Sequence, residues 1–374
     1  MNSGSDELRL IVRAEERGRE LAIGEIARLL ALSDPDAERE LLAAARRVRL
    51  AEVGRKVYLR GLVEVSNICR RDCLYCGIRR SNAEVRRYSL AREEILADVR
   101  RAVELGYGAV VLQGGERCDE IFCRFIEDTV RAIRELPRAP GITLSFGEES
   151  LEVYRRWRAA GAARYLLRIE STDPALFRRI HSAESGLEAR AAALDRLREA
   201  GFQLGTGVMI GLPEQSVEML ARDIDFFRRI DADMIGMGPY IPHPATPLGA
   251  EFPADAETNA RRLALGIRMI AVTRLVLRDV NIAATTALQT LDPERGRERG
   301  LLAGANVIMP NIGEVEHRRD YQLYEGKPGI DENAEAIRRA LEKSVAAVGD
   351  TIAYGEEGTP LHYTRRTAGD ARRP

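Results

Sequence analysis

The chain reads as an α/β protein, a complete (βα)8 barrel carrying an N-terminal helical extension and a C-terminal extension. Three observations predict it. Eight short apolar or β-branched runs alternate with amphipathic stretches of helical length, the rhythm of parallel strand–helix units. Gly106, Gly161, Gly201 and Gly304 each close a helical stretch at the position that favours a left-handed residue. The unusual polar and glycine-rich sequences fall directly after the strand candidates, where such a barrel carries its chemistry. An open doubly wound sheet is the runner-up, but eight is the count that closes a barrel.

Taken in order, residues 1–50 form the N-terminal extension, with apolar residues at helical spacing over Arg9–Leu30 and Asp36–Val48. Residues 51–311 form the barrel. Its strand candidates are Leu62–Val65, Ala109–Leu112, Ile142–Phe146, Tyr165–Arg168, Gln203–Ile210, Met234–Met237, Asn281–Ala284 and Ala305–Met309. Helix candidates such as Arg92–Leu105, Glu120–Leu136 and Asn259–Val276 lie between them. Residues 312–374 are less regular: Glu332–Val348 reads as one helix, and the polar, arginine-rich tail from Thr364 is expected to be disordered.

Composition narrows the function classes. The 374 residues include 57 basic and 58 acidic side chains, which gives no electrostatic case for nucleic acid or an anionic membrane. The first thirty residues are charged and no apolar run approaches a transmembrane length, so a cytoplasmic location is expected.

The most informative run is Ser66-Asn67-Ile68-Cys69-Arg70-Arg71-Asp72-Cys73-Leu74-Tyr75-Cys76-Gly77, directly after the first strand. Its C-x3-C-x2-C spacing supplies three soft thiolates, which select an iron–sulfur cluster or zinc. A structural zinc site wants four closed ligands, and no His or Cys follows Cys76 until Cys118. A cubane held by three sulfurs keeps one iron open. A disulfide with a spare thiol, or a zinc site closed by Cys118, are the alternatives; Cys118 and Cys123 otherwise read as ordinary thiols.

Gly114 and Gly115 let a backbone approach a ligand closely. Glu116 beside them is an acceptor or a helix-start carboxylate. Glu170, at the end of an apolar run, needs a cationic or hydroxyl partner, which Arg168, Arg190 or a ligand can supply. His243, in a proline-rich loop, is a packed neutral histidine or a substrate contact.

The cysteine run resembles the signature of the radical S-adenosylmethionine (radical SAM) superfamily. Longer stretches are similar to one family, the FeFe-hydrogenase maturase HydE: Arg60-Gly61-Leu62-Val63-Glu64, Tyr75-Cys76-Gly77-Ile78-Arg79-Arg80, Gly238-Pro239-Tyr240-Ile241-Pro242-His243-Pro244, Ala284-Thr285-Thr286-Ala287, Gly304 to Asn311 and Tyr321-Gln322-Leu323-Tyr324. Biotin synthase and methylornithine synthase share the barrel and cysteine loop but are less similar in the last motifs.

The resemblance implies a 4Fe–4S cluster on Cys69, Cys73 and Cys76, and SAM contacted by Tyr75, Gly114, Gly115, Glu116, Ser145, Glu170, Arg190 and Met209. It implies a long internal cavity lined by Arg60, Gln113, Thr143, Thr285, Thr286, Tyr321 and Tyr324. The implied activity is reductive cleavage of SAM to a 5′-deoxyadenosyl radical, acting on a cysteine-bound Fe(CO)2CN precursor of the hydrogenase diiron subcluster. The substrate is thus a small organometallic or amino-acid-derived molecule, the reductant a ferredoxin or flavodoxin, and companion maturases are partners. The alternatives are a methylornithine-synthase-like mutase, a biotin-synthase-like sulfur inserter, or a non-enzymatic iron–sulfur carrier. With no cysteine after Cys123, the second cluster that some family members bind on C-terminal cysteines is expected to be missing.

Overall fold

A computed structural model describes residues 3–329 and 331–370. Its strands are β1 (Lys56–Ser66), β2 (Ala109–Gly114), β3 (Gly141–Ser145), β4 (Arg164–Leu166), β5 (Gln203–Thr206), β6 (Met209–Ile210), β7 (Met234–Ile235), β8 (Gly238–Pro239), β9 (Asn281–Ile282), β10 (Val307–Ile308) and β11 (Thr351–Ile352). The main sheet is parallel throughout and runs β10-β1-β2-β3-β4-β5-β7-β9. β1 is buried along nearly its whole length, as a strand covered on both faces must be.

All eight expected strands are present. The two ends of the sheet meet through one parallel bridge, Ala283 to Val307, in place of a full ladder. Two hydrogen bonds flank it: Ala284 N donates to the Val307 carbonyl and Asn306 N to the Ile282 carbonyl, each at 2.9 Å.

The expected strand Gln203–Ile210 is two pieces, β5 and β6, and among the described residues β6 pairs only with β8. The break has a steric cause. A Cβ at Gly207 would lie 2.5 Å from the Gly236 carbonyl carbon, so two backbones meet there at glycine distance. Glu170, at φ 64°, bridges to Val208 across the same gap.

The N-terminal stretch Arg9–Leu30 is not one helix. It divides into helices Ser3–Glu15 and Ile23–Leu30, with Gly18 at φ 75° between them. A third helix, Pro35–Glu52, starts where the Asp34 carboxylate accepts from Asp36 N and Ala37 N. These helices pack on the barrel's outer helices Val217–Arg229 and Ala256–Val276.

The C-terminal segment differs most from expectation. Residues 361–370 form a helix rather than a disordered tail, while residues 371–374 lie outside the described residues. His362 sits between Asp231 (2.6 Å) and Asp279 (3.0 Å), and Arg366 pairs with Asp231 (2.6 Å) and Asp233 (2.9 Å). The basic composition that suggested disorder thus finds carboxylates on the barrel. Before this helix, Gly358 closes the N-terminal end of the barrel, its carbonyl accepting from Asn281 Nδ2 (2.7 Å) and Arg60 Nη2 (3.2 Å). No described helix is long and apolar enough to cross a membrane.

Candidate active site

Parallel strands put all their C-terminal ends at one mouth, and the cysteine loop leaves β1 there. Asn67, fully buried, fixes its start: Nδ2 donates to the Arg86 and Asp320 carbonyls (both 2.8 Å) and Oδ1 accepts from Tyr88 N (2.8 Å). Arg87 buckles the loop from outside, donating to the carbonyls of Asn67 (2.7 Å), Ile78 (2.8 Å), Arg79 (2.6 Å) and Asn82 (3.1 Å). Asp72, held down to about 2 by Ser81 and Arg79 against its own burial, clamps the loop's far side. Sequence reasoning did not single out Asn67 or Arg87, because their acceptors are backbone carbonyls that no motif records.

Cys69, Cys73 and Cys76 are free thiols on the wall of one cavity. Burial raises all three, Cys73 to about 12 and Cys76 well above its ordinary value. Two backbone N–H groups aim at Cys69 Sγ, from Glu116 (3.3 Å) and Arg71 (3.4 Å), and favour a thiolate there. Three neighbouring sulfurs that repel one another's charge, with backbone donors on one of them, fit a cationic iron cluster. Cys118 and Cys123 line a separate surface cleft with Glu149 and Arg156, so Cys118 is not placed to close a zinc site with the motif cysteines.

The cavity has a volume of about 330 Å3, within the range of a small-molecule ligand pocket. Around the cysteines it is walled by Tyr75, Gly114, Gly115, Glu116, Ser145, Glu170, Arg190 and Met209. Glu116 is an ion-paired acceptor rather than a plain helix-start residue: Oε1 accepts from Arg71 Nε (2.5 Å) and Arg70 Nε (3.0 Å), and Oε2 from Glu148 N (3.1 Å). Arg190 Nε reaches Glu148 at 2.7 Å, and Arg71 Nη2 reaches the same carboxylate at 3.1 Å. Glu170 pairs with Arg168 at 2.9 Å; burial pushes its carboxyl up, with Arg168 and Arg190 opposing. Tyr75 Oη lies 3.4 Å from His181 Nε2, and burial holds that histidine neutral, down to about 3.

Gln113, Thr285, Thr286, Tyr321 and Tyr324 line the same cavity. Gln113 Nε2 donates to Tyr321 Oη (3.2 Å), and Thr285 Oγ1 to the Met237 carbonyl (3.2 Å). Arg60 and Thr143 do not line it. They border a smaller cavity deeper in the barrel, which shares Leu166, Gly236 and Met309 with the mouth. Both stand low on their strands: Arg60 pairs in register with Ala109, at the start of β2, and Thr143 with Val111. His243 lies in an outer groove, and a Cβ on Gly77 would come within 2.6 Å of its Cδ2. It packs against the cysteine loop and does not face the cavity. Glu64 and Lys327, an ion pair on the cavity wall, are further residues that sequence reasoning missed.

The radical SAM superfamily profile matches residues 63–227. The [FeFe] hydrogenase maturase subunit HydE of Thermotoga maritima is 41% identical over 321 residues, covering 86% of this chain and 88% of that protein. Among solved structures, methylornithine synthase superposes with a TM-score of 0.76 at 23% identity, covering 92% of this chain and 98% of its own. The FeFe-hydrogenase maturase HydG from Carboxydothermus hydrogenoformans gives 0.78 at 22% identity, covering 94% and 80%. Identities this low speak for the fold alone, whereas the 41% relative fixes the family. The chain is an enzyme of the radical SAM superfamily with a 4Fe–4S cluster and S-adenosylmethionine as cofactors, and within that superfamily it belongs to the HydE family.

Proposed function

We propose that the chain reductively cleaves S-adenosylmethionine to a 5′-deoxyadenosyl radical and acts in hydrogenase maturation, on a cysteine-bound Fe(CO)2CN precursor of the diiron subcluster. One observation carries the reading: one cavity is lined by the three cysteines and Gly114-Gly115 and also by Gln113, Thr285, Thr286, Tyr321 and Tyr324. A carrier of clusters needs no such lining.

Cys69, Cys73 and Cys76 would hold the cluster, which when bound supplies the electron that splits the sulfonium. Gly114 and Gly115 would offer backbone to the methionine end, and Arg190 a guanidinium to its carboxylate. Glu170 and Ser145 would hold the ribose end, Met209 the adenine. Gln113, Tyr321, Thr285, Thr286 and Tyr324 would orient the substrate, their N–H and O–H donors suiting cyanide or carboxylate. Arg60 and Thr143, deeper in the barrel, would line the lower continuation of that compartment. A ferredoxin or flavodoxin is the reductant in this reading, and companion maturases supply the precursor and take the product.

The test is anaerobic reconstitution with dithionite and SAM, followed by hydrogenase activation with this chain as the variable component. Release of 5′-deoxyadenosine together with activation is expected. No 5′-deoxyadenosine favours the carrier; 5′-deoxyadenosine without activation favours a mutase or sulfur-inserting enzyme on the same barrel.

A further inference from the structure

Among the chain's 57 basic residues only Lys56, Lys327 and Lys343 are lysines. Two of the three are ordinary surface choices, but Lys327 lies on the cavity wall with its side chain 8% exposed. A chain that uses arginine almost everywhere has here a compact ammonium with three rotatable donors.

One of those donors goes to Glu64, whose side chain is 3% exposed. Glu64's other oxygen accepts from Asn311 Nδ2 at 2.7 Å, so the carboxylate is held from both sides. Among the described residues no second acceptor reaches Lys327 Nζ. Two N–H donors are therefore left at a buried position on a cavity wall, and donors in that state call for a ligand. The ammonium is 5.7 Å from the Tyr321 ring centroid, on the side of the cavity where the substrate is proposed to sit.

A purely architectural role is already filled by others. Gly77 N donates to the Leu323 carbonyl at 3.0 Å. Arg318 donates to the carbonyls of Gly329 (2.7 Å), Glu332 (2.8 Å) and Gly313 (2.7 Å), which fastens the segment carrying Lys327 without its ammonium.

We propose that Lys327, backed by Glu64 and Asn311, is a binding residue that takes the carboxylate of an amino-acid-derived substrate. The assignment rests on the reading of this cavity half as the substrate compartment. An amino acid's permanent anion is its carboxylate, and a point-charge donor fits it from any direction around the ammonium.

The test is a cycle on the reconstituted holoenzyme with two probes, the Fe(CO)2CN complex on L-cysteine and the same complex on cysteamine, which lacks the carboxylate. Wild type is expected to bind the cysteine complex roughly ten- to hundredfold more tightly, the worth of a charged hydrogen bond. Lys327→Met should lose that preference, and Lys327→Arg should keep part of it. Equal weakening of both probes by Lys327→Met means an architectural role and overturns the proposal. So does an unchanged preference. If wild type binds neither probe, the substrate reading itself fails and the carboxylate assignment with it. A Lys327→Met chain that does not fold leaves Glu64→Gln, which frees Lys327 and should shift the preference without abolishing it; no shift overturns the proposal.

Discussion

A methyl group at Gly115 tests the cluster site through geometry alone. A Cβ there would lie 2.7 Å from the Ile68 carbonyl carbon and 2.8 Å from Cys69 Cβ, with the Ile68 carbonyl oxygen nearer still. Those neighbours are the backbone and first ligand of the cysteine loop, and Asn67 and Arg87 prevent that loop from backing away. Gly114 offers the contrast. Its added Cβ would meet the Phe146 ring and the Ser66 carbonyl oxygen at 3.1 Å, a contact relieved by a few tenths of an ångström. Gly115→Ala should therefore cost about 1–3 kcal/mol of overpacking. Over 374 residues, at about 2.1 cal/mol/K each, that lowers the melting temperature by roughly 1–4 °C. The larger effect is expected on the cluster, because the strain falls on Cys69 itself. Iron and acid-labile sulfide per chain after anaerobic reconstitution read it directly, beside thermal unfolding of the unreconstituted protein followed by circular dichroism. Gly115→Ala should lose most of its iron and Gly114→Ala little. A Gly115→Ala chain that melts with wild type and keeps its full iron would refute the reasoning.

Three other perturbations separate the parts of the molecule. Replacing Cys69, Cys73 or Cys76 singly with Ala should abolish 5′-deoxyadenosine formation, and survival of that activity in any of them contradicts the ligand assignment. Tyr321→Phe and Thr285→Ala should impair hydrogenase activation far more than uncoupled SAM cleavage; equal loss of both would show that these side chains do not serve the substrate. The C-terminal helix carries a pH dependence. Asp231 and Asp279 raise His362 from its ordinary value to about 9, so its stabilisation is complete below about 6.5 and is lost as pH rises towards 9. After a discount for its partial exposure this is about 1–2 kcal/mol, and His362→Asn should flatten the fall in melting temperature over that window.

The barrel and its mouth were legible because both follow from local rules. Strand runs, helix-closing glycines and the loops after each strand need only neighbouring residues to be read. Arg60 and Thr143 show where that stops. Inward-facing positions recur every second residue along a strand, so alternation cannot tell the mouth from the floor. Arg60 lies four residues before Glu64, about 13 Å lower on β1. The pairs that complete the site were out of reach for a different reason. Glu64 and Lys327 are 263 residues apart, and Arg46 and Asp350, which tie an N-terminal helix to the C-terminal segment, are 304 apart. The C-terminal helix was misread because an arginine-rich tail looks solvated until the carboxylates of Asp231, Asp233 and Asp279 are placed opposite it.

The same placement explains why the proposed cofactor side of the cavity would need glycine. Its carboxylates are already engaged: Glu116 by Arg70, Arg71 and Glu148 N, Glu148 by Arg71 and Arg190, Glu170 by Arg168. Besides the side chains of Arg190, Glu170 and Ser145, a ligand there would find backbone, which Gly114 and Gly115 leave reachable. Glu116 then serves chiefly through its neighbours. Its carboxylate anchors Arg71 and the turn at Glu148, while its own N–H points at Cys69 Sγ. The residue after the glycine pair thus ties the β2 loop to the cysteine loop, and the spacing between glycine and sulfur is set by that tie.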